Sequence, residues 1–200
     1  MAWKREEGFE SIDILALNEA TRYKLLMGSI VPRPIAFIST LNEDATANVA
    51  PFSAFVSLSA EDCLVGVSIH LRGGNEKSSL KNIRRTREFV INTVSVDLAE
   101  AAQMCGEHRT VVNKIEAASL SLIPSETIAP PRIAETRIQF ECRLHSIHKF
   151  GGGNLVAGQI IKMHVAKGLV SDFKVDITKY EPLGRLGGRN YCLVDKIISV

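Results

Sequence analysis

Thr136–His148 reads TRIQFECRLHSIH. Ile138, Phe140, Cys142 and Leu144 alternate with Arg137, Gln139, Glu141 and Arg143. A period of two marks a strand with one face in a core and the other toward water or a partner. Gly151-Gly152-Gly153-Asn154 follows, and Leu155–Val165 reads as a second long strand, so the two are expected to form a hairpin.

Upstream of this hairpin the strand signals change character. Ile35–Leu41 (IAFISTL), Cys63–Ile69 (CLVGVSI) and Glu88–Val94 (EFVINTV) carry apolar residues on both parities, as strands covered on both faces do. Ala47–Ala50 and Ser53–Leu58 are strand-like pieces, with Pro51 expected to break the ladder between them. Helices are expected at Asn18–Ser29, ended by Gly28 with Pro32 and Pro34 beyond, and at Ser79–Arg87. Two more are expected at Asp97–Gly106 and around Lys114–Ala118. Strands outnumber helices and lack βαβ spacing. The predicted fold is therefore mainly β with short helices, a closed or nearly closed antiparallel barrel with helices at its ends.

The chain has 200 residues. That suits a single domain over 1–200, with 1–16 as an N-terminal arm, since Met1–Glu10 (MAWKREEGFE) is polar. A net charge of +2 is too small for a bulk field that would hold nucleic acid or a membrane. Cys63, Cys105, Cys142 and Cys192 are scattered without a CxxC, which reads as free thiols in a reducing compartment. Cys105 and His108 are spaced like half of a zinc site, but no second pair matches them, so no metal is expected. No leader pattern and no apolar run of about 20 residues is visible, so the expectation is a cytoplasmic protein.

Two segments can carry chemistry. Arg72–Arg87 (RGGNEKSSLKNIRRTR) sets six cations against Glu76. Ser78 or Ser79 can cap the helix that starts there, and its free amides, the helix dipole and Lys77 together would hold a phosphate. The same pattern also describes a capped surface helix with a solvated basic face. The second segment is Thr40–Phe55, where a proline in a strand frees backbone groups for the polar edge of a ligand such as a flavin, or simply makes a bulge. Gly151–Gly153 and the GRLGG of Gly184–Gly188 lack the GxGxxG spacing, which excludes Rossmann and P-loop readings. No Ser/His/Asp arrangement occurs. No catalytic side chain is assigned; His108, in a loop after a helix, is the candidate for a cleft residue.

At these segments the chain resembles the flavin reductase-like, FMN-binding split-barrel proteins, in the branch of flavoredoxin and of the reductase components of two-component monooxygenases. The matching pieces occur in the family's order: Val31–Thr40 (VPRPIAFIST), Asn48–Phe55 (NVAPFSAF), Lys77–Ile83 (KSSLKNI), Pro130–Glu135 (PPRIAE), Phe140–Leu144 (FECRL), and Arg185–Gly188 through Tyr191. The resemblance implies a closed antiparallel split barrel and a homodimer with FMN at each subunit interface. It implies a phosphate near Lys77, Ser79 and Asn82, and an isoalloxazine beside Thr40, Ala50, Pro51, Ser53 and Phe55, with Arg33 and Phe37 as further contacts. Many relatives carry Thr at the position of Ser79 and often Trp at that of Phe37. The implied activity is that of a flavin reductase, an oxidoreductase passing hydride from NADH or NADPH to bound FMN or to free FMN or FAD. A partner monooxygenase or another electron acceptor would follow. A flavoredoxin-like FMN electron-transfer protein and a non-catalytic FMN-binding protein are the alternatives. In this chemistry the cofactor does the hard step and the protein supplies position and electrostatics, which accounts for the missing triad.

Overall fold

The structure, a computed structural model, describes residues 8–107 and 113–199. After a mostly exposed stretch over 8–18, helix α1 (Glu19–Ser29) is capped by Asn18, whose side chain accepts from the Thr21 amide at 2.9 Å. Gly28 lies inside this helix rather than ending it. Then come β1 (Ala36–Leu41), β2 (Ala47–Phe52), β3 (Phe55–Ser59), β4 (Leu64–His70), α2 (Ser78–Thr86) and β5 (Glu88–Thr93). A 3-10 turn at Val96–Leu98 leads into α3 (Ala99–Gly106), and α4 (Lys114–Ala117) is a single turn. Short β6 (Leu122–Ile123) and β7 (Arg132–Ile133) pair with each other. The long hairpin β8 (Ile138–Phe150) and β9 (Gly153–Val165) follows. Two small pairs, β10 (Val170–Ser171) with β11 (Lys174–Val175) and β12 (Leu183–Arg185) with β13 (Tyr191–Leu193), flank the single turn α5 (Ile177–Tyr180).

The main sheet is antiparallel, in the order β2-β1-β5-β8-β9-β4-β3. The expected closed barrel is not formed, and the fold is a mixed α/β one around a large sheet. The two edge strands, β2 and β3, are consecutive in the chain and only Ser53-Ala54 separates them, so the sheet coils until its edges meet at one corner. No ladder joins them. Instead α2 and α3 pack on β2, and Gly106 at the end of α3 comes so close that a Cβ there would lie 3.1 Å from the Pro51 ring. Pro51 does not interrupt β2 either; it pairs with Phe37. An edge strand tolerates a proline because its missing N–H can face away from the ladder.

Burial on both parities of β1 has a direct cause. Ala36 and Ile38 enter one core cluster with Val67, Ile69, Phe89 and Val156, onto which Leu80 and Ile83 of α2 pack. Ile35 and Phe37 enter a second, with Val94, Leu98, Ala102 and Ile133, on the side covered by α3 and β7. Cys142 extends the first cluster and is fully buried. Cys63, Cys105, Cys142 and Cys192 are all free thiols.

The polar face of β8 differs from expectation. Gln139 and Glu141 are buried, not solvated. Segment 124–131 crosses that face, and Glu141 is its anchor. The carboxylate accepts from the Glu126 amide at 2.7 Å, the Thr127 amide at 2.8 Å and the Thr127 hydroxyl, and pairs with His164 Nε2 at 2.7 Å. Burial alone would push its pKa up, but these hydrogen bonds from Thr127, the Glu126 amide and His164 hold it down at about 2. Sequence periodicity marks the face as polar; it does not say that a loop folds over it.

Two outcomes are expected. A Cβ on Gly158 would lie 2.3 Å from the ring of fully buried Phe89, so Gly158→Ala should destabilise the protein by about 1–3 kcal/mol in urea unfolding. Glu141→Gln should cost about 2–4 kcal/mol at neutral pH, because it exchanges an anion for a neutral amide among donors left in place. A carboxylate with a depressed folded pKa stabilises above its unfolded value of about 4.3 and loses that contribution as pH falls. The gap between wild type and Glu141→Gln should therefore close on acidification from about pH 4 toward pH 2, measured by denaturation at each pH.

Candidate functional site

The site is built at the covered edge of β2, where two cavities share Pro51 and Gly106 as a wall. The first, of about 290 Å³, lies between β2, the start of α2 and the end of α3. Helix α2 begins at Ser78 with Lys77 in the cap position, not Ser78 or Ser79, and among the described residues no side chain accepts from its first amides. The Leu80 and Lys81 amides reach the Lys77 carbonyl at 3.0 and 3.2 Å. The amides ahead of them in a helix have no intrahelical acceptor. A helix normally answers this with a side-chain oxygen; here the cap residue is a cation.

Lys77 lies with its Nζ 5.1 Å from the centre of the Phe52 ring, and burial, with Arg72 nearby, lowers its pKa. Among the described residues no carboxylate pairs with it, since neighbouring Glu76 bonds to Arg84 at 3.3 Å. Ser79 is buried, and its Oγ accepts from the Asn48 amide nitrogen at 3.0 Å, which leaves the hydroxyl proton free to donate. This donor set, a desolvated ammonium, a buried hydroxyl and unsatisfied helix-start amides, is the chemistry that a phosphate requires. Cys105 and Lys114 line the opposite wall. Burial raises the Cys105 thiol to about 11, so it is neutral there and not a nucleophile.

The structure brings Ala50, Pro51, Lys77 and Ser79 into this cavity. Thr40 and Asn82 sit behind it rather than in it. Thr40 Oγ1 accepts from Asn48 at 3.2 Å and from Asn82 at 3.1 Å, so both brace the residues that face the cavity. Ser53 and Arg33 line the second cavity. Phe55 is packed against the first core cluster, and Phe37 is fully buried in the second, away from either cavity. His108 lies outside the described residues.

The second cavity, of about 310 Å³, contains residues that spacing in the sequence does not single out. Arg185 stacks on Tyr191 with its guanidinium carbon 4.5 Å from the ring centre. Its Nη1 donates to Gln103 Oε1 at 2.9 Å and to the Tyr191 hydroxyl, which itself donates to Gln103 at 2.7 Å. Gln103 in turn donates to Glu107 at 2.9 Å. Arg185 is 82 residues from Gln103 in the chain, so only a motif match, not periodicity, could have drawn attention to it. Among the described residues no cluster of His, Cys, Asp and Glu could hold a metal, and no helix is long and apolar enough to cross a membrane.

The family model described as a flavin reductase like domain matches residues 27–181. An uncharacterized protein of Aquifex aeolicus is 36% identical over 174 residues, covering 86% of this chain and 89% of that protein. The structure of nitrilotriacetate monooxygenase component B from Bacillus cereus superposes with a TM-score of 0.91 at 28% identity, over 98% of this chain and 100% of that one. That of the 2-nitrobenzoate 2-nitroreductase of Pseudomonas fluorescens gives 0.88 at 33% identity, over 96% of this chain and 95% of that one. With a family match over most of its length and a coiled antiparallel sheet that superposes on these structures, this chain belongs to the flavin reductase-like family of FMN-binding split-barrel proteins and is a flavin-binding oxidoreductase.

Proposed function

We propose that the protein is an NAD(P)H-dependent flavin reductase that holds FMN with its phosphate at the start of α2 and its ring beside Ala50, Pro51 and Ser53. The observation that carries this reading is Lys77, a desolvated cation with no carboxylate partner among the described residues, at the uncapped start of a nine-residue helix. A partly buried cation is costly without a counter-charge, and a dianion supplies one. When bound, FMN supplies the two-electron chemistry, taking hydride from NADH or NADPH and releasing electrons to an acceptor.

The chain's own residues then have defined tasks. Lys77, the Ser79 hydroxyl and the first amides of α2 bind the phosphate. Asn48 holds Ser79 in place, and Asn82 and Thr40 hold Asn48. Gly106 and Pro51 set the width of the wall between the cavities. Core packing of β1 and β2 keeps the ring-facing residues rigid, so orientation rather than proton transfer by a side chain is the protein's contribution. Three further features belong to this reading: the chain works as a homodimer, in the cytoplasm, and delivers its electrons to a partner oxygenase. The likeness to a monooxygenase component supports the last of these. A second reading has support from the 33% identical nitroreductase: the electrons go to an organic acceptor bound on this protein itself.

Titration of the purified protein with FMN, followed by separate assays of NADH and NADPH oxidation with FMN or FAD added, tests the proposal. Background rates under all of these conditions would end the reductase reading. Lys77→Ala combined with Ser79→Ala should weaken FMN binding by about one to three orders of magnitude, given about 1.5–3 kcal/mol per charge-assisted bond. FMN affinity should also fall on the alkaline side as Lys77 loses its proton, and at lower pH than an exposed lysine at about 10.4 would require. Fluorescence titrations across that range should show this limb in wild type and a flattened one in Lys77→Gln.

A further inference from the structure

The first cavity contains one acid. Of the described residues that line it, only Glu76 carries a carboxylate, and it is next to Lys77 in the chain. An anion has two attractive places there, the Lys77 ammonium and the unsatisfied amides at the start of α2. The Glu76 side chain takes neither. It is turned to Arg84, whose Nε lies 3.3 Å from Glu76 Oε1. A cavity suited to a dianion thus carries its own competitor, and the competitor is held aside.

The hold is built from both ends. Ahead of Glu76 a turn is closed by two backbone hydrogen bonds between Arg72 and Asn75, at 2.8 and 3.0 Å, and by the Asn75 side chain donating to the Gly73 carbonyl at 3.2 Å. Gly73 and Gly74 supply the positive φ values, 53° and 78°, that this turn uses. The backbone leading into Glu76 is therefore set, which leaves its side chain to decide where the charge goes. Arg84 follows Lys77 by seven residues, two helical turns, so it lies on the same side of α2, and side chains on a helix lean toward its start. Arg84 Nη2 donates to Asn154 Oδ1 at 3.4 Å. Asn154 is only 3% exposed, and its Nδ2 donates to the Ile69 carbonyl at 3.4 Å. Strands β4 and β9 thereby fix the guanidinium, and the guanidinium fixes the carboxylate.

The Arg84 and Glu76 side chains are 45% and 34% exposed, so their ion pair adds little to folding stability. Its effect on an anion in the cavity is larger. A carboxylate released from Arg84 would answer Lys77 and the helix amides from within the chain, and a phosphate would then have to displace it. The fraction of molecules with an open cavity sets the apparent affinity.

We infer, resting on the flavin reading for the phosphate itself, that Arg84 is a positioning residue for flavin binding: it withholds the Glu76 carboxylate from the cavity and so keeps Lys77 and the α2 amides open. Arg84 does not line the cavity and acts through Glu76.

A double-mutant cycle on the full chain, read as FMN affinity by flavin fluorescence, tests this. Arg84→Gln should weaken FMN binding by about 3–30-fold. Glu76→Gln should bind FMN at least as tightly as wild type, and Arg84→Gln added to it should change that affinity by no more than about twofold. Should Arg84→Gln fail to fold, Arg84→Met, which keeps the alkyl stem, takes its place in the cycle. An equal loss in both backgrounds, as a packing role or a general field would give, overturns the inference. So does an unweakened Arg84→Gln, or a weakened Glu76→Gln. A crystal structure of flavin-free Arg84→Gln provides a readout without FMN. Glu76 should there lie within about 4 Å of Lys77 Nζ or of the first α2 amides, and a carboxylate still turned out of the cavity overturns the inference. If wild type binds no FMN, the flavin reading falls, and the place of Glu76 in that crystal still decides what Arg84 does.

Discussion

Strand β2 is an edge whose outer backbone groups have no strand to pair with, and the rest of the molecule is arranged around how that edge is covered. An unpaired edge is a liability unless closed, capped or hidden. This fold hides it under α2 and α3 rather than closing it onto β3. Covering a sheet edge with helix ends has a chemical consequence that closure does not. It brings the amide-rich start of one helix and the terminal glycine of another against a proline-bearing strand. Pro51 and Gly106 together permit the close approach, and a cavity opens on each side of their contact.

The charges divide into groups answered within the fold and groups without an acid partner among the described residues. Glu141 is a buried anion fully answered by its own chain, through two amides, a hydroxyl and His164. It pins segment 124–131 across β8, and β8 lies in the middle of the sheet, so the anchor stabilises the scaffold on which β1 and β2 are laid. Lys77, Arg33 and Arg185 are different. Each is at least partly withdrawn from water, each is held by dipoles or aromatic rings, and none has an acid partner among the described residues. Folding stability alone does not select for desolvated cations without counter-charges.

The site shows the same layering. Asn48 and Ser79 in the wall of the first cavity are braced by neutral hydrogen bonds, Asn82 donating to Thr40 and Asn48 donating to Thr40 and to Ser79. Such supports leave the charge of the cavity unaltered while fixing its shape. In a protein whose chemistry is delegated to a cofactor, shape is the main thing that the chain can offer, and the absence of an activated nucleophile at Cys105 fits that division of labour.

How much of this was legible beforehand follows from the range of each signal. Alternation along Thr136–His148, the glycine-linked hairpin, the two-faced burial of Ile35–Leu41 and the basic helix start at Lys77 are local patterns, and the strands and the short helix could be read from them directly, though not that Lys77 rather than Ser78 or Ser79 takes the cap position. Whether the sheet would close, whether Pro51 would break its strand and whether the polar face of β8 would meet water could not be read. Each depends on which distant segment comes to lie on that surface: α3 over β2 in the first two cases, segment 124–131 over Glu141 in the third. The second cavity is the furthest from the primary structure. Arg33, Gln103 and the hairpin that carries Arg185 and Tyr191 come from three separate stretches, and their company is a relation set by packing. What the sequence by itself determined is therefore the periodicity and the chemical inventory; tertiary structure alone decided burial and company, because both are properties of residues remote along the chain that share a few ångströms of space.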